Sequence, residues 1–356
     1  MRPATLPGMT STVHVSLVVR STADLLAAVP YLLGFHPADS VVVVALRGTR
    51  IVFLARGDLP GLPAASEPPG DGLGEAAAEL AAVVARQGVH ATMVVGYGPA
   101  ARTTPMIDAL IVALGEVDLP VLEALRVTGD RYWSHVCGDP VGCPPEGTPF
   151  DASTSQFAAA ATFAGQVALP DRDTLVRQIA PVGGSARRAM REATRKAEVR
   201  LRDLLGRAPA ADALNQRTVW RAGRAAVRLA LRRHRDGGQL TDDEVAWLSL
   251  LLVHLPTRDD AWRWTGGEEW HLTLWTDVLR RAEPDLGAAP ASLLAFAAWC
   301  AGQGALASVA VDRALEAQPD YSMALLLAEA LRVGIPPSIL DDWAEVARSA
   351  CDRSDD

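Results

Sequence analysis

His36, Asp39 and Ser40 stand within five residues of one another, between an apolar helical stretch and a β-branched run. A helix-to-strand corner needs a glycine to stop the helix and a proline to stiffen the exit, and Gly34 and Pro37 supply both. The ionisable and hydroxyl groups are surplus to that need. A histidine titrates near neutral pH and can act as a general base. Asp39 with Asp58 offers hard oxygen ligands to Mg2+, and Arg56 offers a planar fork to a carboxylate or phosphate. Each group also has a structural use. Asp39 can cap a turn, Arg56 with Asp58 can form a surface ion pair, and His36 can cover the helix end, where its charged form suits the dipole.

The elements that must position these groups follow from residue patterning. Residues 13–19 read as a first strand, and Ser21 with Asp24 fits a capping box opening a helix to about residue 33. Residues 40–46 form a second strand, β-branched enough to be buried on both faces. Residues 47–50 are too few for a crossover, so 51–55 return antiparallel as a third strand. A Pro/Gly-rich loop covers 59–74, a helix 75–87 leads into a strand 90–96, and a helix 105–115 leads into a strand 121–127. The turn Thr128-Gly129-Asp130 opens a second hairpin through 131–137. Residues 11–150 are therefore expected to be an α/β domain with a mixed sheet flanked by helices.

This topology gives the corner neighbours. The hairpin puts Arg56 and Asp58 beside His36, Asp39 and Ser40. Right-handed crossovers keep the third, fourth and fifth strands parallel, so Tyr97 and Arg131 come to the same edge. Open α/β sheets bind ligands at the carboxyl ends of parallel strands. The expected ligand-binding residues are His36, Asp39, Ser40, Arg56, Asp58, Tyr97 and Arg131.

Other patterns carry less chemistry. Cys137 and Cys143, with five residues between them and His135 nearby, are half of a zinc site at most, and no second pair follows. A reduced pair tying down the Gly/Pro-rich loop 138–148 is the expectation, with no metal. Gly96-Tyr97-Gly98 lacks the third glycine of a dinucleotide fingerprint, and no phosphate loop or Gly-x-Ser-x-Gly elbow occurs. The cofactor is unknown from the sequence.

Beyond residue 153 the periodicity is helical, at 156–165, 174–179, 186–205, 211–235 and 242–255, so 151–350 is expected to be an all-helical domain. Its end, with Ala298, Gly302, Ala307, Val311, Ala314 and Pro319, resembles one tetratricopeptide-like hairpin rather than an array. Arginines over 187–202 alternate with Glu192 and Glu198, the pattern of a solvated helix face. Trp262, Trp264, Trp270 and Trp275 crowd one segment, as in a core or an interface with a protein partner.

The chain has 356 residues, 49% of them hydrophobic and 21% charged, a balance of ordered globular domains. A net charge of −8 argues against nucleic acid as a partner outside a local basic patch. Four scattered cysteines do not make a secreted framework, and no apolar run approaches membrane-spanning length. Residues 1–10 read as a leader, with Met9 as an alternative start. A cytoplasmic protein with no membrane contact is expected.

The segment from Asp24 to Pro37 with Asp39-Ser40 resembles an actinobacterial family known as domain of unknown function 4192. Arg56 with Asp58-Leu59-Pro60, then Arg131-Tyr132-Trp133-Ser134 and Cys143-Pro144-Pro145 with Gly147, extend the likeness, as does Asp312-Arg313-Ala314-Leu315. The resemblance implies a cytoplasmic actinobacterial protein and supplies no activity. From the residues themselves, the leading expectation is a small-anion-binding or regulatory α/β module with a helical partner-binding half. The alternatives are a Mg2+-dependent hydrolase or nuclease using Asp39, Asp58 and His36, and a scaffold without a ligand.

Overall fold

The structure is a computed structural model, describing residues 21–60, 72–138, 143–152, 155–163, 166–207 and 216–339. The expected strand at 13–19 lies outside the described residues. Ser21 opens α1 (Thr22–Leu33) by accepting the Asp24 N–H at 3.1 Å, and Gly34, at φ 85°, closes it with the left-handed turn a side chain would resist.

Six strands follow: β1 (Ser40–Arg47), β2 (Arg50–Asp58), β3 (Ala91–Tyr97), β4 (Val121–Thr128), β5 (Arg131–Ser134) and β6 (Thr148–Pro149). Helix α2 (Gly72–Ala85) connects β2 to β3, and α3 (Ala100–Glu116) connects β3 to β4. The sheet order is β2-β1-β3-β4-β5-β6. Of the paired neighbours only β3 and β4 run parallel. Because β1 is antiparallel to both β2 and β3, the carboxyl ends of β2, β3 and β4 share one edge with the start of β1.

The pleat of β1 divides the core in two. Val41, Val43 and Ala45 face α2 and α3, among Ala77, Ala81, Val94, Ile107 and Leu110. Val42, Val44 and Leu46 face α1, among Leu25, Leu26, Val29, Val95 and Leu125. Full burial of one valine is worth about 1.5 kcal/mol or more, so the run of four valines anchors β1 in the middle of the sheet, between two apolar layers.

Helix α3 begins at Ala100 rather than at Pro105, which lies inside it and costs it one backbone bond. The chain divides into two compact units, 1–171 and 172–356. Helix α4 (Gln156–Phe163) belongs to the first. Phe157 and Ala161 pack on Ala28 and Tyr31, covering a side of α1 that the sheet leaves open.

The described residues of the second unit are helical, without strands: α5 (Arg172–Gln178), α6 (Gly184–Gly206), α7 (Gln216–Arg235), α8 (Asp242–Leu251), α9 (Leu255–Arg263), α10 (Glu269–Arg281), α11 (Ala288–Cys300), α12 (Gly304–Ala317) and α13 (Ser322–Arg332). The expected single helix over 242–255 is two, because Pro256 suits a helix start and α9 begins there anew. Helix α11 is buried on every side, from Ala288 to Trp299, and forms the centre of the unit. No helix among the described residues is long and apolar enough to cross a membrane.

Candidate functional site

The strand register aligns Asp58, Ser40, Tyr97, Val127 and Tyr132 in one row across the carboxyl edge. Alternation places this row on the α1 face, together with Arg56 one row further in, opposite Val42. Ser40 is fully buried, and Tyr97 is 9% exposed. Burial pushes the Tyr97 phenol well above its ordinary value, so it remains a neutral O–H donor.

Arg56 is held from two sides. Its guanidinium lies 5.5 Å from the centre of the Phe35 ring, and Nη2 donates to Asp58 Oδ1 at 2.7 Å. Asp58 itself is open to solvent, 78% exposed at the side chain. Three buried polar atoms on this face have no hydrogen-bond partner among the described residues, Ser40 Oγ, Tyr97 Oη and Arg56 Nε; Arg102 Nε, on the α3 side of the edge, is a fourth. Buried polar groups are nearly always paired, and leaving one unpaired costs about 1–3 kcal/mol. Two hydroxyls and a guanidinium N–H are together a donor set for an anion.

Asp39 does not join them. At φ 43° it turns toward α3, where Arg102 Nη1 donates to its Oδ1 at 2.6 Å and Nη2 donates to the Leu59 carbonyl at 3.0 Å. The Leu59 N–H donates to the Asp39 carbonyl at 2.9 Å, which closes the corner. Gly98, at φ 144°, fits against this bracket; a Cβ there would stand 3.3 Å from Leu59 and 3.5 Å from Asp39 Oδ1. Arg102 escapes the sequence reading because α3 starts five residues before its expected position. The glycine turn ahead of a helix at the end of β3 was the available signal.

His36 is exposed, and only its backbone is engaged, donating to the Leu169 carbonyl at 2.9 Å. Arg131 is a strut: Nη1 donates to the carbonyls of Gly147 at 2.8 Å and Glu146 at 3.2 Å. Trp133 Nε1 donates to the Pro145 carbonyl at 2.9 Å, and Arg126 stacks 3.7 Å from the Trp133 ring centre. The structure thus gathers Ser40, Arg56, Asp58 and Tyr97 on one face, turns Asp39 to Arg102 and commits Arg131 to the 146–147 carbonyls. His36 follows Phe35 at the corner with its side chain exposed.

Cys137 and Cys143 form a disulfide, with Cα atoms 6.5 Å apart, which corrects the expectation of a reduced pair. The chain is brought back on itself from both ends. Ser134 Oγ accepts the N–H groups of Val136 and Cys137, while Arg131 and Trp133 hold 145–147. Among the described residues, no group of three or more His, Cys, Asp or Glu side chains is placed to hold a metal ion.

Fold and site define an α/β module on a mixed sheet, with a buried donor cluster at the carboxyl edge, followed by a helical unit. The chain belongs to the family described as domain of unknown function (DUF4192), whose model matches residues 23–338. No curated protein and no solved structure matches it.

Proposed function

We propose that the α/β unit is a small-anion-binding module whose ligand reaches Arg56, Ser40 and Tyr97 from the Asp58 side. The observation that carries this reading is the set of three buried polar atoms without partners on one sheet face. A carboxylate or phosphate oxygen accepts from a guanidinium and hydroxyls in short, charge-assisted bonds. The exposed Asp58 carboxylate is the group such an anion would displace from Arg56.

The Mg2+-dependent reading has less support. Asp58 neutralises Arg56 and Asp39 neutralises Arg102, and the two carboxylates turn to opposite faces of the sheet. For the helical unit, we read the antiparallel α11–α12 pair as a tetratricopeptide-like hairpin that packs the core. A cytoplasmic, actinobacterial setting completes the proposal; the Cys137–Cys143 bridge is the observation that weighs against a reducing compartment.

The test is thermal unfolding in the presence of inorganic phosphate, sulfate, acetate, citrate and nucleotides, each at a fixed ionic strength. An anion acting at this site raises the transition of the wild-type chain, because binding to the folded state alone stabilises it. The same anion leaves Arg56→Gln unmoved. Equal shifts in both proteins, or none in either, would remove the reading.

A further inference from the structure

We propose that α7 is a docking surface for the phosphate backbone of a nucleic acid. This helix carries seven arginines and no acidic residue, in a chain whose net charge is −8. Six of them, Arg217, Arg221, Arg224, Arg228, Arg232 and Arg235, recur at intervals of three or four residues and so share one face. The row runs about 27 Å along the helix axis at 1.5 Å per residue. The opposite side of α7, with Gly223, Val227, Ala230 and His234, is the buried one. This is the local basic patch that the overall charge leaves room for.

Three carboxylates on the helices packed against α7 are engaged, one of them by Arg233 of α7 itself, while the exposed Asp243 of α8 lines a cleft with Ala222, Ala225 and Leu229 of α7. Glu244 of α8 takes Arg233 at 2.9 Å, Asp260 of α9 takes Arg263 at 3.1 Å, and Asp277 of α10 takes Arg281. Arg235 leans on its neighbour Asp236 at 3.6 Å. Among the described residues, Arg221, Arg224, Arg228 and Arg232 make no ion pair, and all but Arg224 are exposed. Four adjacent guanidiniums with no ion pair among the described residues repel one another unless an anionic partner lies along them.

Tryptophans favour nucleic acid over an acidic polypeptide. Arg224 and Arg228 stack over Trp264 at 5.4 and 5.3 Å, and Arg224 also stands 5.2 Å from the Trp220 ring. Arg224 Nε is buried without a partner. Stacking fixes the plane of each guanidinium, which lowers the entropy lost when its fork meets a phosphate. Arginine rows beside aromatic rings suit a backbone with bases to stack, as in single-strand binding.

The experiment is fluorescence anisotropy of a labelled mixed-sequence single-stranded oligonucleotide titrated with the full chain. Salt is varied from about 50 to about 200 mM, because phosphate contacts give a log affinity linear in log salt. The wild type is expected to bind with a salt slope of at least about −3. Replacing Arg221, Arg224, Arg228 and Arg232 together by Gln should weaken binding more than tenfold and flatten the slope by about 3. Replacing Arg188, Arg191, Arg195 and Arg202 of α6 by Gln, the same change in charge, should cost less than threefold. Circular dichroism establishes that each variant folds. Should the α7 variant not fold, the R221Q/R232Q pair, whose guanidiniums stand over no tryptophan ring among the described residues, decides by the same criteria with a loss of about fivefold. No binding at the lowest salt overturns the proposal. So does an equal loss in the α6 variant, or poly-glutamate displacing the oligonucleotide at equal charge concentration.

Discussion

Ser40 lies directly across the β1–β3 ladder from Tyr97, and both hydroxyls are buried without a hydrogen-bond partner among the described residues. Opposed side chains on one face have Cβ atoms about 4.5–5.5 Å apart, so the pair marks one place on the sheet. A hydroxyl that is merely stranded there destabilises the fold. Tyr97→Phe should therefore keep or raise stability by up to about 1 kcal/mol in urea unfolding without added anion. It should also abolish any anion-dependent stabilisation. A loss of 1 kcal/mol or more without anion would mean that the hydroxyl is already satisfied.

Arg102 does two jobs at the corner, pairing with Asp39 and donating to the Leu59 carbonyl. Asp39→Asn keeps the turn and the carbonyl contact and gives up a half-exposed charge pair, a cost under about 1 kcal/mol. Arg102→Ala gives up both and should cost about 1–2 kcal/mol. Urea midpoints should rank the two variants in that order; the reverse order would show that Asp39 does more than brace the corner.

His234, His254 and His271 all lie in the helical unit, and burial holds each below its ordinary pKa of 6.5. Asp277 pulls His234 back up, as Glu268 does His271, but desolvation is the larger cause. A histidine whose folded pKa is depressed contributes stability above its unfolded pKa, and that stability is lost as pH falls through about 6.5, because the unfolded chain takes up the proton first. Eight of the nine tryptophans lie in this unit, so their fluorescence reports it. The urea midpoint read this way should fall between about pH 7.5 and about pH 5.5. A flat or rising midpoint over that interval would contradict the assignment.

The Cys137–Cys143 bridge closes a short loop at the end of the sheet. Alkylation of the denatured, unreduced chain should leave Cys137 and Cys143 unmodified in the peptide map, and after reduction both should be modified. Reduction should cost about 2 kcal/mol on the chain-entropy account of a short loop. Modification of both without reduction would show the pair to be open in solution.

The positions of β1 to β5 and the shared carboxyl edge were legible, because valine runs, glycine turns and connection lengths constrain them, whereas the two-residue β6 was not. Which residues of that edge meet was not. Asp39 and Ser40 are adjacent in sequence, yet the pleat and a left-handed backbone at Asp39 send one to α3 and the other to the α1 face. Arg102 depends on where α3 starts, and Pro105 obscured that. The unit boundary depends on α4 finding Ala28 and Tyr31, a contact between segments over a hundred residues apart. The arginine row of α7 was readable from spacing alone; the pairing of its charge was not, since that needs the partners of Glu244, Asp260 and Asp277.

The most direct test of the anion site is a crystal structure of the full chain grown with the anion that stabilises it most. The expected result is density for that anion within hydrogen-bond distance of Arg56 Nε, Ser40 Oγ and Tyr97 Oη, with Asp58 displaced. A single water bridging the two hydroxyls, with Arg56 still paired to Asp58, would contradict the assignment and leave the edge as a structural corner.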